Sequence, residues 1–493
     1  MKNISKSSYT AYKNCPKSLW LSLNKSQYYV EDPRAASNIR NGIEVGGYAK
    51  KYFSNTVDVT AKHPDDTPDI AAMIVKTQDA LKQKDATIAE ASFSVGNLFC
   101  SVDLLHPVQG GYEIVEVKAT TSVKPEHYPD AAFQTYVLKK AGLPIVGTYL
   151  MTLNSDYRRH GPLELDKLFR LNRLDTDPKF IDALSEVDTD IAKVQALLTA
   201  TNEPAEPLAS RCRDCPFAGY CHKDLPHPSV LDVNGLHAYK CLSNGVVTYQ
   251  DLLKSGTKLN HRQRVQVEME LAGCDEQIDK PALKQFVSRL HYPLYYLDFE
   301  SIMPPIPPVD DSWPYEQIPT QYSLHIEQTD GTLQHRELLG HTMDPRREIA
   351  EKLCNDIQEE GSVIVFNKTF ESDRLNELAE LFPDLSAKLR DIDSRIVDLI
   401  EPFKKGDYYH VKMGGSNSIK EVLPALCGTP AELDYHALPL VHNGGEAMEI
   451  YPVMVATSDL KEKQKIRDGL LQYCYLDTLA MVEVLKKVKE RAK

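Results

Sequence analysis

The sequence predicts an α/β protein with two or three domains, and three observations support this. The chain has 493 residues, which is more than one ordinary hydrophobic core accommodates. Within residues 98–119, two apolar, β-rich runs flank a turn segment with Pro107 and two adjacent glycines, the pattern of a β-hairpin. Strand patterns at 292–301 and 362–367 and an amphipathic helix at 466–488 indicate a second α/β region.

Composition narrows the class of protein. Hydrophobic residues make up 42% and charged residues 26% of the chain, which is typical of a globular protein in water. The formal net charge of −13 argues against a generally basic surface, so a nucleic-acid partner would need a local basic groove. The sequence shows neither an apolar secretory segment at the N-terminus nor a run long enough to span a bilayer. We therefore expect a cytoplasmic protein without a membrane partner.

The predicted hairpin carries residues suited to phosphodiester hydrolysis. Side chains alternate along a strand, so Glu116 and Lys118 lie on one face, and Asp103 on the partner strand is close enough to share a site with them. The two acids would bind a divalent cation, Mg²⁺ or Mn²⁺, that makes hydroxide available, and the lysine would orient the water and offset phosphate charge. The alternative is a hairpin with charges on its solvated face.

Three cysteines follow the first α/β region in a Cys-X2-Cys-X5-Cys pattern, on a polar stretch with proline and glycine. Cysteines in a reducing compartment do not form a disulfide framework, and a cluster of thiols on a loop indicates metal. A fourth ligand is needed, and Cys15 far upstream is the candidate, whereas Cys100 on the hairpin is expected to be an ordinary buried strand residue. A zinc site made by four cysteines is an open alternative. The proposed ligands are Cys15, Cys212, Cys215 and Cys221.

These features together resemble the RecB-type iron–sulfur nucleases of the PD-(D/E)XK class, including the CRISPR-associated ones. The features are an early Cys-Pro-Lys, the Asp…Glu-X-Lys set, a helix at 129–141 that carries Gln134, and the late cysteine triplet. The resemblance covers about residues 1–225. It implies a restriction-endonuclease-like fold and a 4Fe-4S cluster bound by the four cysteines.

The sequence departs from that family at two places. Gly47 stands near the position where a metal-binding His or Glu is expected, and Glu44 or Glu90 is a candidate substitute. The family's Gln-X-X-X-Tyr motif is also altered, because Gln134 is followed by Tyr136. Both departures concern metal binding at the hairpin rather than the fold.

The second α/β region contains three acidic motifs. Asp298 and Glu300 are two residues apart on a predicted strand, and Glu371 opens the helix after the strand at 362–367. Tyr473 and Asp477 are spaced i, i+4, so they share a helix face. Taken singly, the motifs also suit a strand end, an acid at a helix N-terminus and a surface pair.

Their order resembles the DEDD exonucleases of the DnaQ-like, RNase H-like group, in the variant with Tyr in the last motif. The resemblance implies that Tyr473 orients the attacking water and that four carboxylates bind two cations. These are Asp298, Glu300, Glu371 and Asp477. The sequence departs at Glu371, where the family usually has Asp. The second half also looks like an uncharacterised bacterial domain that is commonly found behind a RecB-like nuclease.

The sequence thus predicts three parts: a RecB-like nuclease domain at 1–225, a helical linker at 226–290 and a DEDD-type exonuclease domain at 291–493. The predicted function is metal-dependent processing of nucleic acid, with DNA preferred, in repair or in defence against foreign DNA. One alternative is an RNA exonuclease, because this chemistry serves either sugar. Another is a non-catalytic nucleic-acid-binding scaffold held together by a structural metal cluster.

Overall fold

The computed structural model describes residues 3–493, except for the side chain of Ala431. The fold is mixed α/β, as the sequence predicts, with mixed sheets. The chain divides into two units. Unit 1 comprises the residues up to Asp224 together with Pro304–Tyr315, and unit 2 comprises Leu225–Met303 and Glu316–Lys493. The segment at 226–290 therefore falls within unit 2.

Unit 1 is built on a seven-stranded sheet in which β2, β3, β4, β5, β6 and β7 are neighbours in that order and β1 pairs with β4. Its strands are β1 (Ile4–Ser5), β2 (Thr56–Asp58), β3 (Thr87–Val95), β4 (Leu98–Val108), β5 (Gly111–Val117), β6 (Ile145–Leu153) and β7 (Phe169–Arg173). Its helices are α1 (Lys6–Asn14), α2 (Pro16–Asn24), α3 (Ala35–Ala49), α4 (Ile70–Ala80), α5 (His127–Lys140), α6 (Leu165–Leu168), α7 (Pro178–Leu198) and α8 (Ala218–His222).

Both faces of this sheet are covered by apolar cores. Leu104 belongs to a core shared with α3 and α6, whereas its neighbour Leu105 belongs to a core shared with α1, α5 and α7. Successive strand residues thus point to opposite faces, as β geometry requires.

The predicted hairpin is confirmed. β4 and β5 pair antiparallel from Leu104 opposite Val115 to Val108 opposite Gly111, so the turn is shorter than the sequence pattern suggests. Gly110 has a φ of 92°, which glycine adopts without steric cost. A Cβ at Gly111 would lie 2.0 Å from the carbonyl oxygen of Pro144, so the turn requires glycine there as well.

Unit 2 contains a five-stranded sheet in the order β11, β10, β9, β12, β13 and a small two-stranded sheet of β8 and β14. Its strands are β8 (Glu276–Ile278), β9 (Leu294–Ile302), β10 (Ile318–Glu327), β11 (Leu333–Leu339), β12 (Ser362–Val365), β13 (Ile396–Asp398) and β14 (Tyr408–His410). Its helices are α9 (Ala238–Ser243), α10 (Tyr249–Lys254), α11 (His261–Ala272), α12 (Lys280–Val287), α13 (Arg346–Asp356), α14 (Lys368–Leu381), α15 (Ser386–Ser394), α16 (Glu401–Lys405), α17 (Ile419–Cys427), α18 (Gly444–Ala456) and α19 (Leu460–Ala492).

The central strand of the large sheet, β9, separates an apolar face from an acidic one. Tyr295, Leu297 and Phe299 pack into a core with α13, α14 and α15. The alternating residues Asp298 and Glu300 therefore lie on the other face, where α19 packs against β9 and β10. Strands β10 and β11 continue the sheet antiparallel on one side, and β12 and β13 run parallel to β9 on the other.

Helix α19 contains the predicted amphipathic helix at 466–488 and is longer at both ends. Its N-terminus is capped by Asp459, whose side chain accepts hydrogen bonds from the backbone amides of Lys461 and Glu462. Even this 33-residue helix is too polar to cross a membrane, and the other helices in the described part of the chain likewise fail that criterion.

Candidate functional site

Three carboxylates of unit 2 converge on one point. Asp298 and Glu300 on β9 and Asp477 on α19 each offer an oxygen, and these oxygens lie within 4.8 Å of one another. Among residues 3–493, no other set of three or more His, Cys, Asp or Glu side chains brings its ligand atoms this close. Carboxylate oxygens at such spacing are the ligands that Mg²⁺ and Mn²⁺ prefer. The same-face placement of Asp298 and Glu300 and their approach to Asp477 agree with the sequence prediction.

Electrostatics make this cluster unfavourable without a cation. Burial raises the pKa of Glu300 to about 8 and that of Asp477 to about 6, and repulsion from Asp477 adds to the shift at Glu300. Burial and repulsion from Asp477 and Glu300 raise the pKa of Asp298 well above its usual range. A divalent cation would remove the repulsion that opposes ionisation of all three groups.

Glu371 provides a fourth buried carboxylate beside this cluster. It lies in the first turn of α14, which follows β12, the strand next to β9. Its side chain is 2% exposed, and its Oε2 atom has no hydrogen-bond partner among the described residues. Burial raises the pKa of Glu371 to about 8, and its charge acts on both Asp298 and Glu300. The structure therefore brings together all four predicted carboxylates of unit 2.

Asp398 fixes the start of the helix that carries Glu371, and the sequence analysis did not identify it. Its Oδ1 and Oδ2 atoms accept hydrogen bonds of 3.0 Å from the backbone amides of Asn367 and Lys368. Asn367 has a φ of 90°, a conformation that asparagine tolerates better than most residues and that needs such support. This contact sets the direction in which α14 leaves the sheet.

Two tyrosines lie beside the carboxylate of Asp477. Tyr435 donates a hydrogen bond of 2.6 Å to its Oδ1 atom, and Tyr473 lies one helical turn before Asp477 on the same face of α19. Burial and the nearby carboxylates raise the pKa of Tyr473 far above its usual range, so its hydroxyl keeps its proton. The expected pairing of Tyr473 and Asp477 on one helix face is present, whereas Tyr435 was not predicted.

Lys420 supplies positive charge at this cluster and was also not predicted as a site residue. Its ammonium lies 5.0 Å from the ring centres of both Tyr435 and Tyr473 and donates a hydrogen bond of 2.9 Å to the carbonyl oxygen of His442. It opposes the rise in the pKa of Glu300 that burial causes. The only sequence signal was its place in the first turn of α17, shortly after a Gly-Gly loop.

In unit 1, the three hairpin residues lie together as expected. Asp103 Oδ2 accepts a hydrogen bond of 2.7 Å from the backbone amide of Val117. Glu116 is 1% exposed, and its Oε1 accepts from the ammonium of Lys118 at 2.8 Å. Its Oε2 accepts from Gln134 Nε2 at 2.7 Å, so the accessory residue on α5 joins the same network.

Two further charged residues enter this network. Asp130, one helical turn before Gln134 on α5, accepts from Lys118 at 2.5 Å and from Gln134 at 3.0 Å. Lys6, the first residue of α1, places its ammonium 3.0 Å from Glu116 Oε1. Asp130 could have been suspected from its i, i+4 spacing to Gln134, but no local pattern in the sequence connects Lys6 with the hairpin.

The acids of this network differ in their protonation. Burial, followed by repulsion from Glu116, raises the pKa of Asp103 to about 8. Burial also acts to raise the pKa of Glu116, but the ammonium groups of Lys6 and Lys118 hold it well below its usual range. Glu116 is thus an anion with two ammonium partners. The negative charge of Asp103 is less well balanced by nearby cations.

The proposed substitutes for the missing His or Glu lie outside these hydrogen bonds. Glu90, on β3 with a φ of 61°, forms an ion pair of 3.1 Å with Lys50. Glu44 lies on α3, and burial raises its pKa. Gly47 of the same helix has open space where a Cβ would stand. Neither glutamate contacts the Glu116 network in the described part of the chain.

The four predicted cysteines line one small, partly open cavity in unit 1. Cys15 follows α1, Cys212 and Cys215 lie in the turns before α8, and Cys221 lies within α8. Burial raises the pKa of the Cys221 thiol. Within the described residues, no three of these sulfurs all lie within 4.8 Å of one another. Cys100 is elsewhere, fully buried in a core of unit 1 as expected.

This spacing bears on which metal group the thiols suit. A tetrahedral zinc site with Zn–S bonds of about 2.3 Å places its sulfurs about 3.8 Å apart. An iron–sulfur cluster is larger and is held by four thiolates that surround it. Among the described residues, no three of the four sulfurs have the spacing of a compact tetrahedral zinc site.

Comparison with known proteins finds similarity to sequences whose activity is not described. Residues 295–418 match a family model described as a domain of unknown function, DUF2779, and this range includes Asp298, Glu300 and Glu371. An uncharacterized protein of Ureaplasma parvum is 29% identical over 40% of this chain and 32% of its own length. Uncharacterized proteins of Mycoplasma genitalium and Mycoplasma pneumoniae are 24% and 28% identical over the same shares. The chain thus spans about a third of the length of these curated relatives, and it is similar to a family whose function is not described.

Proposed function

We propose that this protein is a metal-dependent nuclease and that unit 2 hydrolyses phosphodiester bonds of DNA. The observation that carries the proposal is the approach of the Asp298, Glu300 and Asp477 ligand oxygens to within 4.8 Å, with Glu371 buried beside them. Four carboxylates whose ionisation is opposed by burial and by mutual repulsion are a costly arrangement for a structural role alone. Perturbed acids gathered in this way indicate a functional site.

The residues divide the work in a way that suits hydrolysis. Asp298, Glu300, Glu371 and Asp477 would hold two Mg²⁺ or Mn²⁺ ions, which supply a nucleophilic hydroxide and stabilise the leaving oxygen when bound. Tyr435 holds the carboxylate of Asp477 in place by its hydrogen bond. Tyr473 keeps its proton, so its hydroxyl can donate a hydrogen bond that orients an attacking water. Glu371 has one carbon more than the aspartate usual in DEDD nucleases.

Strand topology supports the two fold assignments. In unit 2, three antiparallel strands are followed by two strands parallel to the first, an arrangement that agrees with an RNase H-like domain. In unit 1, antiparallel β3, β4 and β5 are followed by helix α5 and by β6 parallel to β5, which agrees with a restriction-endonuclease-like domain. Asp103 and Glu116 lie on β4 and β5 of that second arrangement, and Lys118 directly follows β5.

The thiol cavity of unit 1 supports a 4Fe-4S cluster as the resident group. Its ligands would be Cys15, Cys212, Cys215 and Cys221, which line one cavity from chain segments almost 200 residues apart. Because Cys15 follows α1 directly, a cluster at this point would tie the start of the unit to its end. The cluster would therefore serve the stability of unit 1 rather than the hydrolytic step.

Digestion assays on the full chain test the nuclease assignment. Labelled single- and double-stranded DNA and RNA are incubated with Mg²⁺, Mn²⁺ or EDTA. We expect DNA cleavage that needs the metal and that falls about 100-fold or more in Asp477→Asn, since loss of a mere outer-shell partner already costs about 10–100-fold. Asp468→Asn, on the same helix and facing Gln464, is the matched control and should cleave normally.

The other outcomes discriminate between the alternatives. Cleavage of RNA but not DNA would replace the proposal with an RNA exonuclease. Binding of nucleic acid without any cleavage under these conditions would instead favour a scaffold. Equal digestion by the wild type and Asp477→Asn would remove unit 2 from the reaction.

A further inference from the structure

Lys6 closes a ring of alternating charges in unit 1. Its ammonium lies 3.0 Å from Glu116 Oε1 and 3.5 Å from Asp130 Oδ1. Lys118 contacts the same two acids, at 2.8 Å and 2.5 Å. Two cations and two anions therefore neutralise each other at the place where the PD-(D/E)XK resemblance expects a divalent metal ion.

The backbone of Lys6 is fixed by contacts on the N-terminal side of α1. Ile4 and Ser5 form a short strand parallel to β4, paired with Leu98 and Phe99. Ser5 and Ser8 form a capping box, in which each side chain accepts a hydrogen bond from the other's backbone amide, at 2.9 and 3.2 Å. The approach of Lys6 to Glu116 is thus set by the fold, not by a free terminal arm.

The ring leaves Glu116 with little capacity for a cation. A carboxylate oxygen has two lone pairs, and both on Oε1 face ammonium groups, while Oε2 already accepts from Gln134. Gln134 Oε1 is buried with no hydrogen-bond partner in the described structure, so one acceptor next to the ring is unused. The site has the ligands for a cation but holds two ammonium groups where the cation would bind.

Of the two ammonium groups, that of Lys6 makes the longer contacts with Glu116 and Asp130. Lys118 directly follows β5, the strand that carries Glu116, and makes the shorter contacts with both acids. Lys6 comes from a different element, and its contact with Asp130 is 3.5 Å. Rotation of the Lys6 side chain would release Glu116 without moving the hairpin.

We propose that Lys6 is a resident counter-ion of the unit 1 site, which occupies the cation position between Glu116 and Asp130, so that metal binds there only when Lys6 withdraws. The inference rests on the PD-(D/E)XK part of the proposed function and not on the unit 2 centre. Unit 1 would then bind divalent metal weakly in the free protein, and displacement of Lys6 would be the step that prepares it.

The test is the Mn²⁺ affinity of the unit 1 site, measured by titration from the electron paramagnetic resonance signal of free Mn²⁺. The full chain carries Asp298→Asn and Asp477→Asn to silence unit 2, two changes that relieve charge repulsion and so preserve the fold. Adding Lys6→Met should tighten Mn²⁺ binding about tenfold or more, because a competing charge is removed. Lys6→Arg, which keeps the charge, should bind as weakly as the parent.

Lys13→Met is the matched control on the same helix. Its ammonium pairs at 2.7 Å with Glu186 and Asp190 instead of the hairpin acids, so Mn²⁺ binding should not change. Adding Asp103→Asn to the Lys6→Met protein should abolish the gain, which assigns it to unit 1. Lys6→Gln gives a second neutral variant, and circular dichroism checks the fold of each. A folded Lys6→Met or Lys6→Gln protein that binds Mn²⁺ no more tightly than the parent would overturn the proposal while leaving the nuclease assignment of unit 2 intact.

Discussion

Tyr435 donates a hydrogen bond of 2.6 Å to Asp477 Oδ1, although the two residues belong to different elements of unit 2. Tyr435 lies in a turn between α17 and α18, and Asp477 lies in the middle of α19. The bond holds one oxygen of Asp477 in a fixed direction and stabilises its ionised form. The second oxygen is left for a metal ion. Tyr435 therefore acts on the metal through Asp477.

The two tyrosines at Asp477 should differ in their effects. Tyr435→Phe removes the bond that fixes a metal ligand, so Mn²⁺ affinity should fall about tenfold, in the range typical of such outer-shell partners. Tyr473→Phe should change Mn²⁺ affinity little and lower the cleavage rate about tenfold or more, as loss of an oriented water does. Calorimetric titration and single-turnover cleavage separate the effects. The same loss of metal affinity in both variants would contradict the division of roles.

The raised pKa values in unit 2 predict how pH affects stability without metal. In the unfolded chain these carboxyl groups titrate near pH 4, whereas in the folded unit they titrate higher, Asp477 at about 6 and Glu300 and Glu371 at about 8. Between these values the folded state binds more protons, so stability is full below about pH 4 and is lost as pH rises through 6 to 8. The metal-free Tm of unit 2 should therefore fall from pH 5 to pH 9.

Asp298→Asn tests the cause of this pH dependence. The variant lacks one repelling charge, so at pH 8 without metal its Tm should exceed that of the wild type, and the difference should shrink toward pH 5. Mn²⁺ should raise the wild-type Tm and have little effect on the variant. A variant that is less stable than the wild type at pH 8 in EDTA would show that Asp298 makes a favourable contact that outweighs repulsion.

The cysteine cavity predicts the metal content of unit 1. Anaerobically purified protein should be brown and contain iron and acid-labile sulfide, and Cys15→Ser should lose the colour and lower the Tm of unit 1. Cys274→Ser is the control, because Cys274 is exposed and distant in sequence from the cavity. One zinc per chain in a colourless protein would instead assign the four thiolates to zinc.

Local patterns predicted much of this structure. Strand alternation placed Asp298 beside Glu300, helical spacing placed Tyr473 beside Asp477, and turn residues located the hairpin between β4 and β5. These inferences succeeded because the side-chain repeat of a strand or helix and the residue preferences of a turn depend only on residues close in sequence. They fix which face a side chain occupies within its own element.

Contacts between remote segments could not be predicted in this way. Lys6 and Glu116 are 110 residues apart, and Tyr435 reaches Asp477 from a short turn without a regular pattern. Asp398 supports α14 through backbone amides, which no side-chain pattern records. Such pairings depend on the three-dimensional path of the chain, so the partners that orient or neutralise the predicted acids emerged only from the structure.

Lys420 is a cation whose charge acts on Glu300 and Asp477. Its ammonium lies 5.0 Å from the centres of the Tyr435 and Tyr473 rings, and one of its three N–H groups binds His442. Its remaining donors suit a phosphate of the nucleic acid at the metal centre. Lys420→Met should thus weaken binding of an oligonucleotide to the Asp477→Asn protein about tenfold. It should also reduce the slope of the logarithm of the binding constant against the logarithm of salt concentration by about one.

Metal binding should respond in the opposite sense. The ammonium of Lys420 repels a metal cation bound by Glu300 and Asp477. Without that repulsion, the Mn²⁺ affinity of the Lys420→Met chain should be unchanged or higher. Lys420→Arg should retain oligonucleotide binding, and Lys412→Met, at an exposed lysine of the preceding turn, should behave as wild type. If Lys420→Met instead weakens Mn²⁺ binding and leaves oligonucleotide binding intact, the lysine serves to hold the loop at His442 and does not meet the phosphate.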